Sequence, residues 1–146
     1  MNLKFYFLFF APIYFSSAKA NPFFVFPVRK STGYYVLVAQ NQDKSFIYTF
    51  LEDYKQNPQN ATPYLVITMF DELVFKKGVA LVRGDVIGDL SKKESEIIFG
   101  MTKLYYTNES FYKDVVTFNR DSARFNYQEH MNNCLKHYDS DNYKVL

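Results

Sequence analysis

The chain has 146 residues, of which 48% are hydrophobic and 22% are charged, so one domain with a substantial core is expected and extensive disorder is excluded. A net charge of only +2, from closely matched basic and acidic side chains, argues against a nucleic-acid-binding surface. Cys134 is the one cysteine, which excludes an intramolecular disulfide.

The first twenty residues have features of a targeting segment. An apolar run at 5–15 follows Lys4 and precedes an Ala-x-Ala pattern that ends at Ala20, as in a secretory signal and its cleavage site. The run is too short for a membrane-spanning helix, so stable membrane insertion is not expected. We interpret residues 1–20 as a targeting or signal-like segment or as a mis-assigned start. The residues alone leave secretory, mitochondrial and mis-assigned interpretations open.

Five strands are predicted in the body of the chain. Their apolar runs are rich in aromatic and β-branched residues, and turn residues separate the first three. Pro22 and Pro27 bracket the first strand, which places it at a sheet edge because proline cannot donate to a β-ladder. Short helical segments are expected at 51–57 and 71–77, ended by Pro58 and Gly78. The predicted strands are 23–26, 34–41, 45–50, 64–70 and 79–82.

Helices are predicted after the strands. Ser91 and Glu94 have the spacing of a capping box, and apolar residues at helical spacing follow them. A second helix is expected over 110–118, and a third begins near Asn126. We therefore predict an α+β fold, with a central, mostly antiparallel sheet of about five strands followed by and packed with C-terminal helices. The predicted boundaries are a single domain at 21–138 and a polar tail at 139–146.

Candidate catalytic and metal-binding residues are few. His130, Cys134 and His137 have i, i+4 and i+7 spacing, which would place soft-metal ligands on one helical face. A mostly exposed helix with an inward cysteine accounts for the same spacing. The sequence has no glycine-rich phosphate loop and no hydrolase or zinc motif. We expect no enzymatic activity, no catalytic residue, no metal site and no cofactor.

The tripeptide Arg83-Gly84-Asp85 directly follows the last predicted strand. An adhesive protein would display such a tripeptide on a mobile loop. Here Gly84 is expected to let the chain turn, with Arg83 and Asp85 as strand-end residues that face a neighbouring surface. A secreted ligand-binding or adhesive domain that uses this tripeptide is the alternative interpretation, and it would make residues 1–20 a secretory signal.

An ordered set of motifs covers the body of the chain. F-P-V-R-K-x-x-G-Y-Y at 26–35 and T-F-L-E-D-Y-K-x-N-P at 49–58 are followed by K-G-V-A-L-V-R-G-D at 77–85. The shorter pieces A-x-P-Y-L at 61–65, D-E-L at 71–73 and Thr117-Phe118-Asn119 complete the set. Over about residues 22–131 the sequence resembles the mitochondrial ATP synthase assembly factors of the Atp-eleven type.

The resemblance implies a monomeric chaperone of the mitochondrial matrix. Members of this family bind the beta subunit of the soluble catalytic head before alpha pairs with it. Family members also carry a presequence and a helical N-terminal portion ahead of the body. In this sequence about twenty residues precede the body. Tyrosine and arginine are enriched in binding hot spots. The partner-binding residues expected in the matching segments are Arg29, Lys30, Tyr54, Arg83 and Asp85.

Overall fold

A computed structural model describes residues 3–10, 14–72, 74–77 and 79–139. The strands are β1 (Leu3–Phe10), β2 (Phe23–Lys30), β3 (Gly33–Gln42), β4 (Ser45–Phe50), β5 (Pro63–Phe70) and β6 (Val79–Val86). The helices are α1 (Tyr14–Ala20), α2 (Leu51–Gln56), α3 (Val74–Lys77), α4 (Lys92–Thr107), α5 (Glu109–Arg120) and α6 (Tyr127–Asp139), with a 3-10 turn at Ser122–Arg124. None of the helices in these ranges is both long and apolar enough to span a membrane.

The strands form one antiparallel sheet in the order β1-β6-β5-β4-β3-β2. This arrangement confirms the predicted α+β fold, its antiparallel sheet and its C-terminal helices. Each of the five predicted strands is present. Strand β6 is longer than predicted, because it continues past Val82 to Val86. The sixth strand is β1, which was not among the strands predicted from the sequence.

The N-terminal segment contributes to the same sheet and helix layer as the body. Strand β1 pairs with β6 along its whole length, and the ring of Phe5 is buried. Helix α1 packs against α4, and the Tyr112 hydroxyl of α5 donates to the Ser17 carbonyl at 2.8 Å. A targeting role for residues 1–20 stays a prediction. The expected helix end at Gly78 and the tail beyond Asp139 lie outside the described residues.

One face of the sheet is covered by α1, α4, α5 and α6. Alternate residues of each strand point toward these helices, which produces a core rich in aromatic rings. The Tyr48 hydroxyl lies 2.7 Å from the Thr102 hydroxyl, and the Tyr106 hydroxyl donates to the Asn21 carbonyl at 2.8 Å. The largest fully buried aromatic side chains are Phe24, Phe26, Phe46, Tyr48, Phe99, Tyr105 and Tyr106.

The predicted helix starts are confirmed in atomic detail. The Ser91 hydroxyl accepts from the Glu94 amide at 3.0 Å, and the Glu94 carboxylate accepts from the Ser91 amide at 2.8 Å. These two bonds form the capping box that satisfies backbone donors at the start of α4. At α6, the Asn126 side chain accepts from the Glu129 amide at 3.1 Å. Local hydrogen bonding therefore fixes where both helices begin.

Candidate functional site

The second face of the sheet is only partly covered. Helix α2 packs on it against β3 and β4, and the outward side chains of β5, β6 and β1 in the described part of the chain stay wholly or partly accessible. On β6 the alternation is regular, with Val82 and Gly84 buried and Leu81 and Arg83 turned outward. We call this uncovered surface the open face. It consists of Lys4, Tyr6, Val66, Thr68, Phe70, Leu81, Arg83 and Asp85.

The open face has an unusual composition for a solvent-facing sheet. Antiparallel sheets with one wet face commonly carry polar side chains on that face. Here Val66 and Phe70 on β5 are half-buried, Leu81 on β6 is 38% exposed and Tyr6 on β1 is 59% exposed. The strand register brings Phe70 opposite Leu81 and Tyr6 opposite Arg83. Phe70 and Leu81 thus form an adjoining apolar pair, with Tyr6 on the next strand beside Arg83, and accessible apolar groups that adjoin are typical of protein-binding surfaces.

A small charge cluster lies among these apolar groups. The Asp85 carboxylate is 3.0 Å from Arg83 Nε and 3.6 Å from Lys4 Nζ. The Arg83 guanidinium also lies 5.4 Å from the centre of the Phe70 ring, within cation–π range. One carboxylate is thus shared by two cations, which leaves one positive charge uncompensated within the cluster.

The tripeptide Arg83-Gly84-Asp85 lies inside β6, so the predicted turn and strand end are wrong. In the register, Gly84 is opposite Phe5 on one side and Ile67 on the other. A Cβ atom added at Gly84 would overlap the Phe5 ring. Glycine is required here by close packing between strands rather than by a turn. This placement inside a paired strand contradicts the adhesive interpretation, which requires the tripeptide on a mobile loop.

The structure brings together only two of the five predicted partner-binding residues. Arg83 and Asp85 are both on the open face because they are two positions apart on one strand. Tyr54 lies on α2 and is half-buried against a cluster of Val25, Val36, Val38 and Met131. It therefore occupies the same side of the sheet as the open face, but over β3 and β4.

The two basic residues at the end of β2 make ion pairs within the fold. Arg29 Nη2 lies 2.7 Å from an Asp139 carboxylate oxygen at the end of α6. Lys30 Nζ lies 3.0 Å from Glu94 on α4 and 5.7 Å from the centre of the Tyr35 ring. These pairs hold β2 to two helices, far along the sheet from the open face. A partner-binding role for Arg29, Lys30 and Tyr54 stays a prediction.

A groove provides a second accessible apolar surface. It has a volume of about 680 Å³ and lies between α2, the β2–β3 edge and α6, with Tyr34 and Tyr127 exposed beside it. Its walls include Val25, Val36, Leu51 and Phe118. The groove and the open face are thus two separate surfaces on which a partner could bind.

The helix that carries the candidate metal ligands, α6, is mostly exposed with an inward Cys134, as the alternative account of the spacing predicted. His130 points inward, and its Nε2 lies 2.8 Å from the Val25 carbonyl oxygen. Burial lowers the pKa of His130 to about 4 and raises the pKa of the Cys134 thiol to about 12. The thiol is therefore protonated and inaccessible near neutral pH. Within the described ranges, no three His, Cys, Asp or Glu residues are grouped so that they could hold a metal ion.

Comparison with known proteins identifies the family. A family model described as "ATP11 protein" matches residues 10–131, whereas a search of curated proteins found no significant match. The matched region includes α1, all strands from β2 to β6 and most of the helical layer. ATP11 proteins are mitochondrial ATP synthase assembly factors. Because the match covers most of its length, this chain belongs to the ATP11 family of ATP synthase assembly factors.

Proposed function

We propose that this chain is a chaperone that binds the free beta subunit of the mitochondrial ATP synthase catalytic head in the matrix. It prevents the subunit from aggregating until alpha replaces it. Family membership supports a role in ATP synthase assembly. The observation that carries the proposal further is the apolar open face, which includes Tyr6, Phe70 and Leu81.

An apolar surface on this chain can cover an apolar surface on an unassembled subunit. An unassembled subunit exposes apolar area that its partner will later cover, and such area promotes aggregation. The open face offers apolar side chains on three neighbouring strands, around the cluster of Lys4, Arg83 and Asp85. Burial of apolar area drives association at roughly 25 cal/mol per Å² before the entropic costs of binding are subtracted. The proposal requires a contact at this face that competes with aggregation and is still replaced by the larger alpha–beta interface.

The proposal can be tested by the light scattered during aggregation of purified beta subunit. The whole 146-residue chain should suppress scattering at about equimolar ratio, and Tyr6→Ser and Leu81→Ser should weaken the suppression. Truncation of a central contact residue typically costs about 1–2 kcal/mol of binding, which is roughly five- to thirtyfold in affinity. Surface changes of this kind leave the free energy of unfolding within about 0.5 kcal/mol of the wild type.

Tyr127→Ser is the matched control. It removes a tyrosine that is also exposed, at 38% against 59% for Tyr6, but from the groove beside α6. Unchanged suppression by this variant places binding on the open face. Loss of suppression in Tyr127→Ser alone would transfer the contact to the groove. Failure of the wild type to suppress aggregation would refute the chaperone function.

The charge cluster provides an independent variant. Arg83→Glu places two carboxylates next to one lysine on the open face and should weaken beta binding. The free energy of unfolding should fall by no more than about 1 kcal/mol, the usual scale for an exposed ion pair. An unfolded Arg83→Glu protein would instead make Arg83 a structural residue.

A further inference from the structure

The two edges of the sheet differ sharply. At the β2 edge, Asn119 of α5 accepts from the Phe23 amide at 3.0 Å and donates to the Phe23 carbonyl at 2.6 Å. His130 and Tyr138 of α6 lie 2.8 Å and 2.6 Å from the next outward carbonyl oxygens of the strand, on Val25 and Pro27. Proline 27 has no amide hydrogen to donate. Side chains therefore close this edge against further strand pairing.

The other edge is formed by β1, the terminal strand of the described sheet. It pairs with β6 on one side, and no other strand of the described residues pairs with it on the other side. An edge strand presents a row of backbone donors and acceptors that can pair with an extended segment of another chain. At about 3.3 Å per residue the edge is roughly 26 Å long, enough for a strand of ordinary length. It adjoins the open face directly, since Lys4 and Tyr6 belong to both.

We propose that the β1 edge binds an extended segment of the client as a seventh strand, antiparallel or parallel to β1. This inference rests on the proposed function, and it specifies how the client is held. The segment has apolar side chains on the face that continues the open face beyond Tyr6, and it has an acidic residue beside Lys4. Backbone pairing then supplies binding that is tolerant of sequence, while the alternate side chains supply selectivity.

Charge distinguishes such a client from a second copy of this chain. Asp85 is shared by Lys4 and Arg83, so a carboxylate from the partner would neutralise the excess positive charge at this edge. A second β1 would bring another lysine and no carboxylate, because its sequence is LKFYFLFF. The charge cluster therefore favours an acidic, extended client segment over self-association through this edge.

Hydrogen exchange of the whole chain, alone and with purified ATP synthase beta subunit, tests the inference. Within 3–10, the alternate backbone amides that point away from β6 should exchange about tenfold more slowly in the complex, because strand pairing protects amides that are open at an edge. Amides at the exposed surface of α6 should be unchanged. Binding without protection of 3–10 overturns the inference and leaves the chaperone function intact. Absence of any binding overturns both.

Charge reversal provides the second measurement. Lys4→Glu should weaken beta binding roughly fivefold, the scale of about 1 kcal/mol for an accessible charge at an interface. Lys92→Glu is the matched control, since Lys92 is 60% exposed against 50% for Lys4 and forms an ion pair of similar length on α4. Equal effects of the two reversals would overturn the inference. Protection of 3–10 that rises with concentration of the chain alone would assign the edge to a second copy and also overturn it.

Discussion

Replacement of Gly84 by alanine should destabilise the fold, because the sheet is closely packed at this position. The new Cβ would overlap three atoms of the Phe5 ring, where ordinary carbon contacts are about 3.5–4.0 Å. The ring is 3% exposed and lies on the strand next to β6, so it cannot move aside without disturbing other contacts. Packing against Phe5 thus requires glycine at the centre of Arg83-Gly84-Asp85.

The size of the effect follows from two opposing terms. Overpacking of a well-filled site costs about 1–3 kcal/mol. Alanine regains roughly 0.5–1 kcal/mol over glycine in a strand, because its unfolded backbone has fewer conformations to lose. Because the overlap involves three ring atoms, the upper part of that range applies, about 2–3 kcal/mol, and the net loss in the free energy of unfolding is about 1–2.5 kcal/mol. For a chain of this size, each kcal/mol corresponds to a fall in Tm of roughly 2–4 °C.

Urea denaturation of a double-mutant cycle measures this contact. The variants are Gly84→Ala, Phe5→Leu and the two together. If the Phe5 ring is the obstacle, Gly84→Ala should cost less in the Phe5→Leu background, with a coupling energy of about 0.5 kcal/mol or more. If Gly84→Ala is as stable as the wild type, or costs the same with Phe5 as with Phe5→Leu, contact with the Phe5 ring is not the reason for glycine in β6.

Three further predictions concern stability. His130 has a pKa of about 4 in the folded state and about 6.5 in the unfolded state. Between these pH values the unfolded state binds one more proton than the folded state. The free energy of unfolding should therefore fall by up to about 3 kcal/mol as the pH drops from 6.5 to 4. Chemical denaturation across this pH range should show a smaller loss of stability in His130→Gln than in the wild type. In His137→Gln most of the wild-type loss should remain. Ser91→Ala should cost about 1 kcal/mol in urea denaturation, since it removes the capping box of α4; a neutral result would mean that Glu94 alone sustains the helix start. Asn119→Ala should cost about 1–3 kcal/mol by leaving both backbone groups of Phe23 without their partner, and amide exchange in β2 should accelerate; unchanged exchange would contradict the closed β2 edge.

Most of the fold could be predicted because its signals are local. Strands β2 to β5 are apolar runs between turn residues, and α4 begins at a capping box that Ser91 and Glu94 specify within four positions. Strand β1 lacks such a signal. After Lys4 its residues form an uninterrupted apolar run, as in a signal sequence. Its strand conformation depends on pairing with β6 at the far end of the sheet-forming sequence. Non-local pairing of this kind leaves no periodic pattern to find.

The candidate site was less predictable than the fold. Arg83 and Asp85 were chosen by residue type, and they lie on the open face. The apolar members were missed because β5 and the first half of β6, at 79–82, carry apolar residues on both sides, so alternation does not distinguish Phe70 or Leu81 from their buried neighbours. Arg29 and Lys30 have the residue type of a contact site, but their ion pairs with α6 and α4 could be recognised only once the helices were placed.

The proposed chaperone binds the free beta subunit before alpha does. A pull-down with the whole chain as bait should compare purified free beta subunit with assembled alpha–beta complex. We expect retention of free beta, no retention of alpha–beta, and release of bound beta when alpha is added. Retention of alpha–beta as strongly as free beta, or no retention of beta at all, would refute this order of binding.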